Sequence, residues 1–91
     1  MQAERAAEIG RDALLWLAGE PEALGQFLDG SGLGPTDLRA RAGDPEFLGF
    51  VLEFVLGSDA RVADFAASAG IRPEDPARAR AVLGGEVPNW T

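Results

Sequence analysis

The chain has no cysteine, histidine, lysine or tyrosine. Each absence removes a kind of chemistry. Without cysteine there is no disulfide framework, no thiolate nucleophile and no thiolate zinc site. Without histidine there is neither an imidazole base nor an imidazole metal ligand. Without lysine, Schiff bases and the ammonium of a phosphate-binding loop are excluded. The absence of tyrosine removes another common proton donor. What remains is carboxylates, arginines and five hydroxyls, at Ser31, Thr36, Ser58, Ser68 and Thr91. Ser58 stands where a helix needs a cap, and no base accompanies the others. A catalytic role, a cofactor and a metal site are therefore not expected.

Long apolar runs are absent as well. The most apolar segment, "FLGFVLEFVL", is too short to span a bilayer and contains Glu53. The start, "MQAERAAEIG", is charged and alanine-rich and has no secretory pattern. A soluble protein of the cytoplasm is expected. Charge of one sign dominates: 15 acidic residues against 8 arginines give a net charge of −7. The arginines are scattered along the chain, which disfavours general nucleic-acid binding. With 91 residues, 46% of them hydrophobic, the chain makes one modest core. The expected organisation is a single helical domain over residues 1–85 and a tail over 86–91.

What the sequence does contain is a phrase stated twice, "GLGPTDL" from Gly32 and "GIRPEDP" from Gly70. The offset is 38 residues (70 − 32), and it recurs at Gly19/Gly57, Phe27/Phe65, Pro35/Pro73, Asp37/Asp75 and Leu14/Leu52. Conservative matches follow at Ile9/Phe47, Trp16/Phe54, Leu17/Val55, Leu24/Val62 and Leu33/Ile71. Such a period is typical of repeated helical pairs. Internal duplication would produce it, and so would two helical hairpins obeying the same capping rules. In either case the motif reads as backbone chemistry. Glycine stops a helix, the aliphatic residue pins the connection, proline restarts the chain, and the aspartate favours the positive end of the next helix.

Periodicity predicts a helix over Ala3–Ala18, with Ala6, Ile9, Ala13, Trp16 and Leu17 on one face, and a second over Pro21–Asp29. Gly30 and Gly32 offer the positive φ that ends the second. A short turn of helix follows Pro35 and runs to about Gly43. Asp44, Pro45 and Glu46 open the clearest helix. Its apolar residues cover most of the circumference and leave Glu46, Gly49, Glu53 and Gly57 on one strip, which places it at the centre of the domain. Ser58 caps the next helix, with Val62, Phe65, Ala66 and Ala69 inward and Gly70 as its stop. Pro73 starts the last, with Ala79, Val82 and Leu83 inward. No segment alternates as a strand does. The expected fold is all-α, a compact bundle of five to six short helices, organised as two repeated helical hairpins around a central apolar helix.

Few residues stand out as sites. Glu53 is surrounded by apolar residues in sequence, but its strip argues that it faces water, since a lone buried carboxylate is costly. Arg39 and Arg41, like Arg78 and Arg80, point in different directions on a helix and read as rim charges. "GSGLG" at residues 30–34 follows a helix, not a strand, and is a poor phosphate cradle. Trp90 either folds back over a core edge or stands out as an aromatic anchor. Trp90, Arg39 and Glu53 are the candidate partner contacts.

The run "FLDGSGLGPTDLRARAGDPEFLGFVLEFVL" followed by "FAASAGIRPEDPARARAVL" resembles small bacterial proteins grouped as domain of unknown function 3572. The resemblance runs from about Ala13 to Leu83. It is most specific at Leu38-Arg39, Asp44-Pro45, Val51 to Phe54, Phe65 and the Pro73 turn. "SDARVADF" departs from the acidic, leucine-rich start expected there. The resemblance implies a helical cytoplasmic domain and no particular activity. The leading functional expectation is a non-catalytic protein–protein interaction module, with an unknown protein partner or self-association. The alternative is a small nucleic-acid-associated regulator. A carboxylate-based enzyme or small-ligand binder ranks last.

Overall fold

The computed structural model describes residues 1–84, and within them the chain forms six helices and no strand. They are α1 (Ala3–Ala18), α2 (Pro21–Ser31), α3 (Pro35–Ala40), α4 (Pro45–Leu56), α5 (Asp59–Ala69) and α6 (Asp75–Leu83). Local chemistry explains most of their ends. Asp44 Oδ1 accepts the Glu46 N–H at 3.0 Å, and Ser58 Oγ accepts the Arg61 N–H at 3.3 Å, so both act as N-caps. The all-α expectation holds, and no helix among the described residues is long and apolar enough to cross a membrane.

The doubled phrase builds the same turn twice. Gly32 and Gly70 have φ of 75° and 70°, a conformation that a side chain resists. Each donates its N–H back to the last turn, to the Leu28 and Ala66 carbonyls. Two residues on, the Gly34 N–H donates to Asp37 Oδ2 at 2.8 Å, and the Arg72 N–H donates to Asp75 Oδ2 at 3.0 Å. In return, the Asp37 and Asp75 amides donate to the Gly34 and Arg72 carbonyls, each at 3.0 Å. The aspartates therefore act as reciprocal clasps, a more specific role than favouring a helix dipole.

Three boundaries differ from the sequence reading. α2 continues through Gly30 to Ser31, so Gly32 alone takes the positive φ. α3 ends at Ala40, and a turn carries the chain to Asp44. α6 starts at Asp75 rather than Pro73. A helix begun at Pro73 would carry Pro76 beyond its first position, where its ring crowds the preceding residue; starting at Asp75 seats Pro76 in the first turn.

α4 is the central apolar helix, burying Phe47, Leu48, Gly49, Val51, Leu52 and Val55. It packs against α1, which buries Ala6, Ile9, Gly10, Ala13 and Leu17. Gly49 leaves the polar strip expected for it. It is buried under α6, where a Cβ would stand 3.7 Å from Leu83 Cβ. Glu46, Glu53 and Gly57 remain exposed, as a water-facing strip requires.

The repeat extends to three dimensions. Adding 38 to the bounds of α2 (21–31) gives those of α5 (59–69), and adding it to the end of α1 (18) gives the end of α4 (56). Phe27 packs edge-on against Phe54 with ring centroids 5.3 Å apart, and Phe65 packs against Trp16 at 5.9 Å. The 38-residue shift turns Phe27 into Phe65 and Trp16 into Phe54, so these two contacts exchange as they would across a two-fold axis. Gly10 faces Leu48, which is its own equivalent (10 + 38), as expected for a pair beside that axis. Shared capping rules account for matched helix ends but not for these exchanged ring contacts; the backbones match less well, with α5 packed closely on α1 and α2 farther from α4. α6 breaks the symmetry. It packs on both α1 and α4, and Leu83 reaches toward Gly10. A helix lying across the axis occupies the place its counterpart would need, and of the shorter α3 only Leu38 is buried.

A Cβ on Gly10 would meet Leu48 Cβ at 2.8 Å, whereas around Gly25 in α2 nothing lies within 4 Å. Gly10→Ala is therefore expected to destabilise by about 1–3 kcal/mol through overpacking, and Gly25→Ala to stabilise by about 0.5–1 kcal/mol. Urea denaturation of the two variants measures both. In the same assay, Asp37→Ala and Asp75→Ala should each cost about 1 kcal/mol, the worth of a lost cap.

Candidate functional site

Among the described residues no group of three or more acidic side chains is placed to hold a metal ion. The candidate residues lie apart. Arg39 is exposed on α3. Glu53 is exposed on α4 and sits 3.8 Å from Arg80 of α6, with the two side chains 62% and 28% exposed. An ion pair so open to water contributes little to stability. Trp90 lies outside the described residues. Arg39 and Glu53 do not share a cleft: the depressions that Glu53 lines are built from α4 with α2 and from α4 with α6.

The more distinctive feature is a pair of open clefts. The first lies between α1 and α5 and is lined by Asp12, Leu15, Trp16, Phe65, Ser68 and Ala69. The second lies between α2 and α4 and is lined by Gln26, Phe27, Gly30, Ser31, Phe50, Glu53 and Phe54. The 38-residue shift carries Phe27, Gly30 and Ser31 onto Phe65, Ser68 and Ala69, and Asp12, Leu15 and Trp16 onto Phe50, Glu53 and Phe54. Apart from Gln26, the two linings correspond position by position. Each cleft is thus built by the second helix of one half against the long helix of the other.

The linings match in residue position but the helix spacing does not: α5 packs directly on α1, whereas α2 stands off α4 and reaches it through the Phe27 ring. A buried phenylalanine, Phe65 or Phe27, forms the floor, and a half-buried aromatic, Trp16 or Phe54, forms a wall. Small residues on α5 or α2 keep one edge low. A large apolar side chain stands at the mouth: Leu15 is 73% exposed and Phe50 43% exposed. One carboxylate lines each cleft, Asp12 or Glu53, and no arginine does. The second cleft is braced from behind. Arg61 donates its Nε–H to the Phe54 carbonyl at 3.0 Å, and its guanidinium carbon lies 4.0 Å from the Phe54 ring centroid. The equivalent of Arg61 is Ala23, so Trp16 has no such brace.

Sequence reasoning found Glu53 and overlooked Leu15 and Phe50. The signal available was the mismatch within the repeat. Asp12 is paired with Phe50 and Leu15 with Glu53, so at both positions an acid is exchanged for a large apolar residue.

A family model described as protein of unknown function (DUF3572) matches residues 3–86. The chain belongs to this family. The match covers all six helices, both clasped turns and both clefts. Neither a curated protein nor a solved structure matches the chain.

Leu15 is mostly solvated, so Leu15→Ser should change stability by no more than about 0.5 kcal/mol. Phe50 also packs against Phe27, with centroids 5.5 Å apart, so Phe50→Ser should cost about 1 kcal/mol. Thermal and urea unfolding distinguish these outcomes. A loss of several kcal/mol at Leu15 would make it a packing residue rather than a surface one.

Proposed function

We propose that this protein is a non-catalytic protein–protein interaction module of the cytoplasm that seats apolar side chains of a partner in its two clefts. The observation that carries this reading is the pair of clefts with Leu15 and Phe50 exposed at their mouths over aromatic floors. Stacked helical hairpins commonly take partner segments in such grooves, and binding energy concentrates on aromatic and large aliphatic anchors. The distribution of charge supports a protein partner over a polyanion. Arg5 pairs with Glu8 and Arg72 lies beside Glu74 and Asp75, while Arg80 lies beside Glu53 and Arg61 bonds a carbonyl. Half of the eight arginines are thereby held against acceptors of the chain itself, in a protein whose net charge is −7.

Photo-crosslinking residues placed at positions 15 and 50 should capture the same protein in cells, and one placed at exposed Gly25 should not. Sedimentation over a concentration series separates a foreign partner from a second copy of this chain. Recovery of nothing specific from either cleft position would sink the reading.

A further inference from the structure

We infer that the two clefts are a matched pair of docking sites for the same kind of segment, a cationic amphipathic helix that seats a bulky apolar side chain over Phe65 or Phe27, so that one chain engages two such segments. This rests on the interaction reading above and adds the number of sites and the chemistry of the occupant.

The number follows from the correspondence of the linings. Phe65 and Phe27 are equivalent, as are Trp16 and Phe54, and each pair is assembled across the two halves with closely similar ring spacing, 5.9 and 5.3 Å. Two sites built from equivalent positions present the same kind of aromatic floor to an occupant, although α2 stands farther from α4 than α5 does from α1. The apolar part of the occupant follows from those floors and from the exposed Leu15 and Phe50 beside them. A helical segment suits clefts bounded by two helices, because its side chains at three- and four-residue spacing share one face.

The positive charge of the occupant follows from complementarity. Each cleft is lined by one carboxylate and no basic residue, on a chain of net charge −7. An acidic or uncharged segment would leave that field unanswered, and a second copy of this chain would be repelled by it. The two sites differ in a predictable way. Asp12 has no ion pair among the described residues, whereas Glu53 sits 3.8 Å from Arg80 and is partly neutralised. The α1/α5 cleft is therefore the more selective for cations. The order of acid and apolar residue is also reversed along the two long helices, Asp12 before Leu15 but Phe50 before Glu53. An occupant with basic residues on both sides of its anchor satisfies either order.

The test is an NMR titration of the full-length ¹⁵N-labelled chain with a synthetic Lys/Leu helical peptide carrying one Trp on its apolar face. The Ser68 and Ala69 amides report the α1/α5 cleft, and the Gly30 and Ser31 amides report the α2/α4 cleft. Both sets should shift and saturate at two peptides per chain. Leu15→Ser should weaken the first response about tenfold and spare the second, and Phe50→Ser should do the reverse. Asp12→Asn should weaken the first cleft more than Glu53→Gln weakens the second. A Glu/Leu counterpart of the peptide should shift neither set. Response at one cleft only, equal binding of the acidic peptide, or no response at either cleft overturns the inference. If positions 15 and 50 still crosslink a cellular partner, the interaction reading survives and only the paired, cation-selective sites fall; if they do not, both fall.

Discussion

Everything in this fold depends on how closely α1 approaches α4. In that contact Gly10 faces Leu48, and a single added carbon would stand 2.8 Å from the leucine Cβ. The two positions are equivalents in the repeat. Two leucines there would occupy one space twice, and two glycines would leave a void, so a glycine opposite a leucine fills the site once. The sequence is most asymmetric where the geometry is closest to a two-fold axis, and close packing supplies the reason. Leu83 of α6 closes over the same place and Gly49 admits it.

From that contact the rest follows outward. α1 and α4 lie against each other, α5 packs across α1, and α2 reaches α4 through Phe27. Phe27 reaches Phe47, Phe50 and Phe54 on α4, and Phe65 reaches Trp16 on α1. This crossing makes two interdigitated halves rather than two hairpins side by side, and it leaves a cleft at each junction. The clefts are a by-product of symmetry in their placement. They are not one in their contents: the aromatic floors and walls keep the repeat, while the mouths exchange acid for apolar residue at Asp12/Phe50 and Leu15/Glu53.

The parts of this protein governed by neighbouring residues are legible in the sequence. Asp44 with Pro45, Ser58, Gly32 and Gly70 each act on a backbone group within a few residues, and each does so where the sequence placed it. The start of α6 was misplaced because two prolines compete three residues apart, and the second one governs. Gly49 was misplaced because a pattern of polarity counts glycine with the polar residues, whereas a packed helix uses it as the absence of a side chain. Glu53 was identified, but its significance as a cleft wall was not, because the walls come from helices distant in sequence.

Taken alone, the sequence determined the class of the fold, the positions of the helices, the two clasped turns and the family, since these depend on local bonding, periodicity and composition. Tertiary structure decided that the halves interlock, that α6 and not α3 packs across both long helices, and that Leu15 and Phe50 stand beside aromatic floors. Those outcomes turn on which side chains can share a space when distant helices meet, and no local pattern carries that information.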